Sequence, residues 1–329
     1  MEKNSRFKVV STFAGCGGSS LGYKMAGGQV LLAVEWDDNA AETYRLNHHG
    51  TEVYHGDITT LSVDEVLART GLAPGELDIF DGSPPCQGFS TAGKRIMQDC
   101  RNQLFREYVR ILRGLKPKVF VMENVSGMVK GKMKLIFAEI MRELKGSGYN
   151  VSARLMNAMY FKVPQSRQRM IFIGVRKDIG ILPSHPKAKF RPITFRQACY
   201  DLCGNTPEDR MLGEMLLKVA KSQPDNWNTD QAIYKSIKGN LASSISTQWI
   251  GWDRVCGTLT KSEISTSGLV HPDRERYISL AEAKRISSFP DDFKFINRKS
   301  GIVRMGNCVP PLLMKAIAEH IRDNILLTV

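Results

Sequence analysis

A cysteine follows two prolines in the stretch Ser83-Pro84-Pro85-Cys86-Gln87-Gly88-Phe89-Ser90. Residues 77–81 before it predict a short buried strand, and residues 91–102 after it are polar and basic. Proline fixes φ and biases the preceding residue toward extended conformations, so the segment directs the thiol at the end of a strand. A cysteine thiolate can form a covalent intermediate with a substrate, and the placement of Cys86 indicates this chemistry. The alternative is a structural cysteine buried beside a rigid turn.

Acidic side chains follow two more predicted strands. Residues 30–34 run into Glu35 and Trp36, and residues 53–58 form a strand with Asp57 near its end. An acid at the end of the second strand of such a unit typically accepts hydrogen bonds from ribose hydroxyls, and Trp36 can stack on a nucleobase. With Phe13 at the end of the first strand, these residues predict a nucleoside pocket at one sheet edge. The alternative is that Trp36 packs in a core and Glu35 is solvated.

A glycine turn joins the first predicted strand, residues 7–13, to a helix over residues 21–26. Its glycines (Gly15, Gly17 and Gly18) let the backbone approach a ligand closely, and a strand, glycine turn and helix are how dinucleotide sites begin. The pattern is G-x-G-G rather than G-x-G-x-x-G, because Ser20 occupies the place of the third glycine. The turn therefore predicts a ligand without phosphates.

An acid and a pair of arginines complete the candidate set. Residues 118–122 predict a fully buried strand, and Glu123 at its carboxyl end would lie near Cys86 in a doubly wound sheet and act as a proton donor. Arg167 and Arg169 are two residues apart in an extended segment, so both are expected to reach one site and hold a base carbonyl or a phosphate. The alternatives are a helix-capping carboxylate and two surface cations.

The composition excludes several classes of protein. No apolar run approaches the roughly 20 residues that span a bilayer, and the first residues show no signal-peptide pattern, so we expect a cytoplasmic protein. The seven cysteines are scattered without a disulfide-like pattern, and they predict no metal site. Lysine and arginine total 46 against 33 acids, and the formal net charge of +13 suits a polyanionic partner.

Regular patterns weaken after about residue 176 and return near the C-terminus. A stretch rich in Ser, Thr, Gln and Trp over residues 241–252 indicates a less regular region. Ser279 and Glu282 predict a capping box, and Pro310 and Pro311 lead a helix over residues 312–324. We expect an α/β fold with a catalytic and cofactor-binding domain over residues 1–190, completed by residues 304–329, and a smaller domain over residues 191–300.

Seven blocks along nearly the whole chain resemble the motifs of DNA (cytosine-5) methyltransferases, in that family's order. They are Phe13-Ala14-Gly15-Cys16-Gly17-Gly18, Glu35-Trp36, Asp57-Ile58, Pro84-Pro85-Cys86-Gln87, Glu123-Asn124-Val125, Gln165-x-Arg167-x-Arg169 and Gly306-Asn307-x-Val309. A lone Pro-Pro-Cys would be a weak signal, whereas seven ordered blocks make coincidence negligible. The resemblance implies a Rossmann-like S-adenosylmethionine-dependent methyltransferase sheet with a smaller, irregular target-recognition domain.

The resemblance also implies the reaction and its residues. S-adenosylmethionine would give a methyl group to carbon 5 of a flipped-out cytosine in double-stranded DNA, leaving S-adenosylhomocysteine. The implied catalytic residues are Cys86, Glu123, Arg167 and Arg169. The implied cofactor-binding residues are Phe13, Gly15, Gly17, Gly18, Glu35, Trp36, Asp57, Ile58, Ser83, Pro84, Leu104, Asn307 and Val309. The basic loop over residues 88–101 would close over the flipped base, and the DNA-binding candidates are Gln87, Ser90, Lys94, Arg95 and Arg101.

The family implies the partners as well. We expect double-stranded DNA, no metal and no membrane, a monomer, and a nucleoid-associated setting in a prokaryote or phage; a separately acting restriction endonuclease is a candidate partner. One alternative is a tRNA cytosine-5 methyltransferase, whose branch carries a Cys-Phe-Thr signature that Cys256-Gly257-Thr258 matches poorly. The other is a catalytically decayed DNA-binding relative, against which the intact Cys86, Glu123 and Arg169 argue.

Overall fold

The computed structural model describes residues 7–85, 100–129, 133–202, 209–214, 217, 247–261 and 268–328, with the backbone alone for residues 100–102, 129, 133 and 247. The chain divides into two compact units. The first consists of Met1–Met156, Gln168–Lys187 and Met314–Val329. The second consists of Asn157–Arg167 and Ala188–Leu313.

A seven-stranded sheet organises the first unit. Its strands are β1 (Lys8–Thr12), β2 (Gln29–Glu35), β3 (Glu52–His55), β4 (Ile79–Gly82), β5 (Val119–Val125), β6 (Tyr149–Asn157) and β7 (Gln168–Arg176). They lie in the order β3-β2-β1-β4-β5-β7-β6. The first five strands are parallel to one another, and β7 is antiparallel to β5. A parallel sheet is buried on both faces, which explains the apolar, β-branched runs of β1 and β5.

Helices connect the strands: α1 (Gly18–Met25), α2 (Asp38–Asn47), α3 (Val63–Thr70), α4 (Cys100–Leu115) and α5 (Met133–Gly146). Local side chains set their boundaries. Asp37 accepts a hydrogen bond from the Ala40 N–H at the start of α2, and Ser62 caps α3 in the same way. Gly71, with a left-handed φ of 64°, ends α3.

Aromatic rings fill the core beside β4 and β5. Tyr108 of α4 stacks on Phe80 with ring centroids 4.8 Å apart, and Phe120 meets Tyr149 edge to face at 5.1 Å. These four rings are buried, so the space between α4 and the two strands is closed to water.

The second unit has shorter elements. Among its described residues these are α6 (Phe195–Cys199), β8 (Thr247–Trp249), β9 (Gly268–Val270), α7 (Leu280–Ile286), α8 (Arg298–Asn307) and the start of α9 (Pro311–Asn324). The predicted capping box is confirmed, because Ser279 and Glu282 each accept a hydrogen bond from the other's backbone N–H. The buried Glu282 carboxylate also accepts two hydrogen bonds from Arg276, at 2.8 and 2.9 Å, and lies 3.1 Å from His271.

The doubly wound α/β architecture is confirmed, and some boundaries differ from the prediction. β5 continues through Glu123 to Val125, because this stretch pairs with the first residues of β7. Gly306 and Asn307, which belong to one of the seven motif blocks, are the last two residues of α8. That helix begins with a capping box at Asn297. The glycine and charged residues of the helix obscure this start in the sequence. No helix in the described part of the chain is long and apolar enough to cross a membrane.

The packing of β7 on β5 generates a test. A β-carbon at Gly174 would lie 2.0 Å from the Phe120 ring, whereas one at Gly146 would meet nothing within 4 Å. Because the Phe120 ring is fully buried, Gly174→Ala should lower the free energy of unfolding by about 2–3 kcal/mol. The control Gly146→Ala, at the end of α5, should change it by less than about 1 kcal/mol. Urea denaturation measures both values, and equal losses would show that Phe120 moves aside.

Candidate active site

The order of the sheet reverses between β1 and β4. The chain continues outward from β1 to β2 and β3, and from β4 to β5 on the other side. Ligands of open α/β sheets bind outside the carboxyl ends of the strands at such a point. The residues at the carboxyl ends of β1 to β5 therefore form the candidate site of the first unit.

The turn after β1 has a left-handed backbone at Phe13, Gly15 and Gly17, where φ is 54°, 57° and 91°. A β-carbon at Gly15 would meet nothing within 4 Å, whereas one at Gly17 would lie 2.1 Å from Nε2 of His48. Burial lowers the pKa of His48 to about 3, so its imidazole is neutral. The turn is therefore open beside Gly15 and filled by a buried ring beside Gly17, the residue before α1 begins at Gly18.

Glu35, the last residue of β2, is 7% exposed and accepts three backbone hydrogen bonds. Its Oε2 accepts from the Gly15 N–H at 2.7 Å. Its Oε1 accepts from the N–H groups of Trp36 and Asp37 at 3.0 and 2.9 Å. The carboxylate is therefore buried rather than solvated, and it fastens the glycine turn to the end of β2.

The neighbouring candidates differ in exposure. Trp36 is 75% exposed, so its indole is not a core residue and its face can stack on a ligand. Asp57, after β3, is exposed and accepts a hydrogen bond from the Thr59 N–H at 2.9 Å. Ile58 is buried in the main core, and Phe13 packs against the same core. The ends of β2 and β3 thus place an indole and two carboxylates along one edge, and Phe13 follows β1.

The residues after β4 lead toward the predicted nucleophile. Ser83 is partly buried and Pro84 is buried. The side-chain amide of Asn124 donates to the Pro84 carbonyl oxygen at 3.0 Å, which joins this segment to β5. The backbone of Arg101 lies in the first turn of α4. Outside the described residues lie Cys86, Gln87, Ser90, Lys94 and Arg95.

A buried ion pair connects β5 to β7. Glu123 is 6% exposed, and Nε of Arg169 lies 2.8 Å from its Oε1. The register pairs Arg169 with Val125, so the arginine reaches diagonally across the two strands to Glu123. Because β7 is antiparallel, its first residues lie at the carboxyl end of β5. An acid and a guanidinium are therefore held together beside β4, the strand that leads to Cys86.

Arg167 has different partners. It precedes β7, belongs to the second unit and is 1% exposed. Its guanidinium donates to the carbonyl oxygens of Leu259 and Gly306, at 2.9 and 2.7 Å. Residues two apart share a face only within a strand, and β7 begins at Gln168. The two arginines, expected to reach one site, thus have separate contacts in the structure.

Three further cofactor candidates lie on helices or directly after one. Leu104 belongs to α4 and packs against the core of the first unit. Asn307, which is exposed, ends α8, and the buried Val309 follows it; both belong to the second unit. At Gly306 a β-carbon would lie 2.5 Å from the backbone nitrogen of Lys261, so only glycine permits this contact.

Three polar side chains near these strand ends had no role predicted from the sequence. His48 lies against the glycine turn, Asn124 holds the segment after β4, and Asp81 within β4 accepts hydrogen bonds from two hydroxyl groups. Asp81 had a signal in the sequence, because an acid within an apolar strand must find donors. Asn124 lay within a matched motif block, Glu123-Asn124-Val125, whereas His48 had no signal in the sequence.

The residues at this edge fit an adenosyl ligand without phosphates. The glycine turn is open beside Gly15, the indole face of Trp36 is exposed, and the carboxylates of Glu35 and Asp57 stand at the ends of adjacent strands. In the described ranges, no group of three or more His, Cys, Asp or Glu residues could hold a metal ion. The sheet order, with its reversed β7, defines the Rossmann-like fold of S-adenosylmethionine-dependent methyltransferases.

The chain belongs to the family of C-5 cytosine-specific DNA methylases, whose family model matches residues 7–323. The predicted family, fold class and enzyme class are therefore confirmed. The chain is 34% identical over 336 residues to the Type II methyltransferase M1.HphI of Haemophilus parahaemolyticus, covering 95% of this chain and 86% of the relative. It is 30% identical over 360 residues to the Type II methyltransferase M.XorII of Xanthomonas oryzae pv. oryzae, covering 95% and 84%.

Solved structures share the architecture. A protein described as a DNA modification methyltransferase encoded within an E. coli prophage superposes with a TM-score of 0.74 at 26% identity, covering 98% of this chain and 99% of that one. The Dnmt2 methyltransferase of S. pombe superposes with a TM-score of 0.68 at 20% identity, covering 96% and 99%. The second likeness concerns the fold alone.

The two sides of the glycine turn generate a test. Alanine is strained at the positive φ of both Gly15 and Gly17, at a cost of about 1 kcal/mol each. Gly17→Ala also drives a methyl group into His48, so we expect it to lower the free energy of unfolding by about 3 kcal/mol in total. Urea denaturation compares the variants. Adding His48→Ala should recover part of the Gly17→Ala loss, and the absence of any recovery would contradict this packing.

Proposed function

We propose that the chain methylates carbon 5 of a cytosine in a specific double-stranded DNA sequence, with Cys86 as the nucleophile. The observation that carries the proposal is the buried ion pair of Glu123 and Arg169 on β5 and β7, adjacent to the strand that leads to Cys86. Methylation of carbon 5 of a pyrimidine ring requires a nucleophile, an acid and a cation close to the ring. The match of the family model to residues 7–323, a range that contains these residues, supports the assignment.

The proposed chemistry follows from the ring. Carbon 5 of cytosine is a poor nucleophile until a group adds to carbon 6. The Cys86 thiolate would form a bond to carbon 6, and the displaced electron pair would move to ring nitrogen 3, which takes a proton from the protonated form of Glu123. Carbon 5 then becomes nucleophilic and accepts the methyl group. Loss of the carbon 5 proton to solvent, with expulsion of the thiolate, restores the double bond between carbons 5 and 6, and nitrogen 3 returns its proton to Glu123.

We assign Arg169 to the substrate and Arg167 to its support. The Arg169 guanidinium carries donors besides the Nε that pairs with Glu123, and these could hold the carbonyl oxygen of the base. A cation there also favours the thiolate of Cys86. Arg167, whose guanidinium is buried on two backbone carbonyl oxygens, would act as a positioning residue in the second unit.

The cofactor assignment rests on the edge formed by β1, β2 and β3. S-adenosylmethionine, when bound, supplies the methyl group as a sulfonium. Trp36 and Phe13 would contact the adenine, Glu35 the ribose hydroxyls, and Asp57 with Ile58 the adenine edge. The methionine part would lie along the remaining candidates, which are Gly15, Gly17, Gly18, Ser83, Pro84, Leu104, Asn307 and Val309. Glu35 already accepts three backbone hydrogen bonds, so it would serve the ribose and the turn at once.

The DNA assignment rests on charge and access. A cytosine in a duplex must leave the stack before Cys86 can reach it, and the net charge of +13 suits the phosphate backbone. We assign base capture to the segment with Gln87, Ser90, Lys94, Arg95 and Arg101. Residues 191–300 are proposed to read the target sequence. We further expect a monomer that acts independently of any endonuclease.

Cys86→Ala tests the nucleophile. A duplex carrying 5-fluorocytosine at the target should trap wild-type protein covalently in the presence of S-adenosylmethionine, because fluorine cannot leave carbon 5 as a proton does. Cys86→Ala should form no adduct and transfer no methyl group, yet still bind S-adenosylhomocysteine in calorimetry. Cys199→Ala is the control, because burial raises the pKa of the Cys199 thiol to about 12.

The outcomes of this trapping experiment separate the alternatives. Methyl transfer by Cys86→Ala would rule out the covalent mechanism. Adducts with RNA but not with DNA would favour a tRNA methyltransferase. Binding without transfer by the wild type would indicate a decayed relative. Bisulfite sequencing of DNA from cells that express the protein identifies the target sequence.

Glu123→Gln tests the acid. The amide keeps the shape of the side chain but cannot give up a proton, so we expect kcat to fall by about 10²–10³. The affinity for S-adenosylhomocysteine should change less than about twofold, since Glu123 is not assigned to the cofactor. The control Glu143→Gln removes a carboxylate that pairs with Arg113 on the surface, and it should leave kcat unchanged. Equal rates for Glu123→Gln and the wild type would remove Glu123 from the mechanism.

A further inference from the structure

A carboxylate lies inside β4, a strand whose four residues are all buried. Asp81 is 2% exposed and accepts two hydrogen bonds. Ser11 of β1, its partner in the sheet register, donates from Oγ to Oδ2 at 2.9 Å. The hydroxyl of Tyr23 in α1 donates to Oδ1 at 3.1 Å. Each carboxylate oxygen is thus held by a hydroxyl from a different element.

The strands β1 and β4 and the helix α1 adjoin the two parts of the proposed site, which are the glycine turn and the segment that enters Cys86. β1 runs into the glycine turn, and α1 leaves it. β4 continues into the segment that enters Cys86. Asp81 therefore connects both ends of the turn to the strand before the nucleophile. The backbone repeats the connection, because Thr12 Oγ1 donates to the Asp81 carbonyl oxygen at 3.1 Å.

The residues around the Asp81 contacts are tightly packed. A β-carbon at Gly82, next to Asp81, would lie 2.5 Å from Thr12 Oγ1 and 2.7 Å from the ring of Tyr108. The rings of Tyr23 and Tyr108 are themselves fully buried. A close-packed interior transmits strain from one element to the next. Beyond the backbone pairing of β1 with β4, Asp81 thus adds side-chain hydrogen bonds that join β1, β4 and α1.

We propose that the ionised carboxylate of Asp81 is a positioning residue that sets the glycine turn against the segment entering Cys86. One oxygen holds β1 and the other holds α1. The roles of the two segments rest on the proposed function. Asp81 is buried within the sheet and acts on the cofactor through the turn, so it is not a catalytic residue. Losing a hydroxyl donor loosens the turn and weakens the binding of S-adenosylhomocysteine.

The charge of Asp81 controls the contact, because only an ionised carboxylate accepts from both hydroxyls without rearrangement. Burial raises the pKa of Asp81 to about 7, the hydrogen bonds from Ser11 and Tyr23 oppose the rise, and the charge of Glu123 on β5 adds to it. The pKa values of the phenols coupled to Asp81 are all raised above the usual range by burial; these belong to Tyr23, Tyr44 and Tyr108. Asp81 is thus the group with a shifted pKa near neutrality in this cluster.

The raised pKa of Asp81 sets the direction in which the stability of the fold changes with pH. Since the pKa is raised in the folded state, the proton stabilises the fold at low pH, and this stabilisation is lost as the pH rises through about 7. Above that pH the ionised carboxylate holds both hydroxyls at a cost in stability. Asp81→Asn removes the titration and keeps one carbonyl oxygen as an acceptor. Relative to the wild type, this variant should gain stability as the pH rises.

The first experiment compares Tyr23→Phe with Tyr149→Phe. Both remove a buried hydroxyl donor, but that of Tyr149 donates to the Pro117 carbonyl oxygen at 2.8 Å, before β5 begins. Tyr23→Phe should speed amide hydrogen exchange at residues 14–18 and raise the Kd for S-adenosylhomocysteine about tenfold. Tyr149→Phe should leave both within about twofold, whatever it does to Tm. Equal effects of the two substitutions on both readouts would overturn the proposal.

The second experiment measures the free energy of unfolding of Asp81→Asn and the wild type between about pH 6 and pH 8.5. A difference that shifts in favour of the variant with rising pH supports the titration of Asp81 and the ionised state assigned to it above a pH of about 7. A difference that stays constant overturns the predicted titration of Asp81 in this range. Neither exchange nor unfolding needs cofactor or DNA. A wild type that transfers no methyl group to DNA would therefore contradict the proposed function without changing either result for Asp81.

Discussion

A carboxylate can be buried near the end of a strand only when donors surround its oxygens, because withdrawing its charge from water is costly. In the part of the first unit that the structure describes, this constraint is met three times. Glu35 accepts from three backbone N–H groups, Asp81 from two hydroxyls, and Glu123 pairs with one guanidinium. Each solution joins separate segments of the chain, so the acids at the strand ends also fasten the edge of the sheet. Chemistry and architecture therefore depend on the same contacts.

The second unit also buries charged groups with partners around them, and these include both an anion and a cation. Glu282 is buried among Arg276, His271 and its own capping box. Its carboxylate therefore connects α7 to the residues that lie between β9 and this helix. Arg167 is the reverse case, a buried cation held by the carbonyl oxygens of Leu259 and Gly306. Backbone carbonyls carry partial negative charge in a fixed geometry, and the planar guanidinium can bind two of them at once. This arrangement holds residues distant in sequence around one side chain.

The reversed strand β7 makes the acid and cation pair of the site. A parallel strand would bring its far end to the carboxyl end of β5, whereas the antiparallel β7 brings its first residues, including Arg169. The glycine turn has two different sides, because it is open at Gly15 and closed by His48 at Gly17. A ligand site needs both properties, because open space admits the ligand and dense packing preserves its shape.

The amino-acid sequence by itself determined the family, the order of strands and helices, and the strand ends at which the candidate residues lie. These features depend on local chemistry: β-branched runs, capping residues such as Ser279, and ordered motifs. Only the tertiary structure decided which polar groups meet. It placed His48 under the glycine turn, gave Asp81 its two hydroxyl donors, and separated the partners of Arg167 from those of Arg169. The partners of Arg167 lie 92 and 139 residues away in the chain. Contacts of that range leave no periodic trace in a sequence, because packing of whole elements, rather than local backbone preference, creates them.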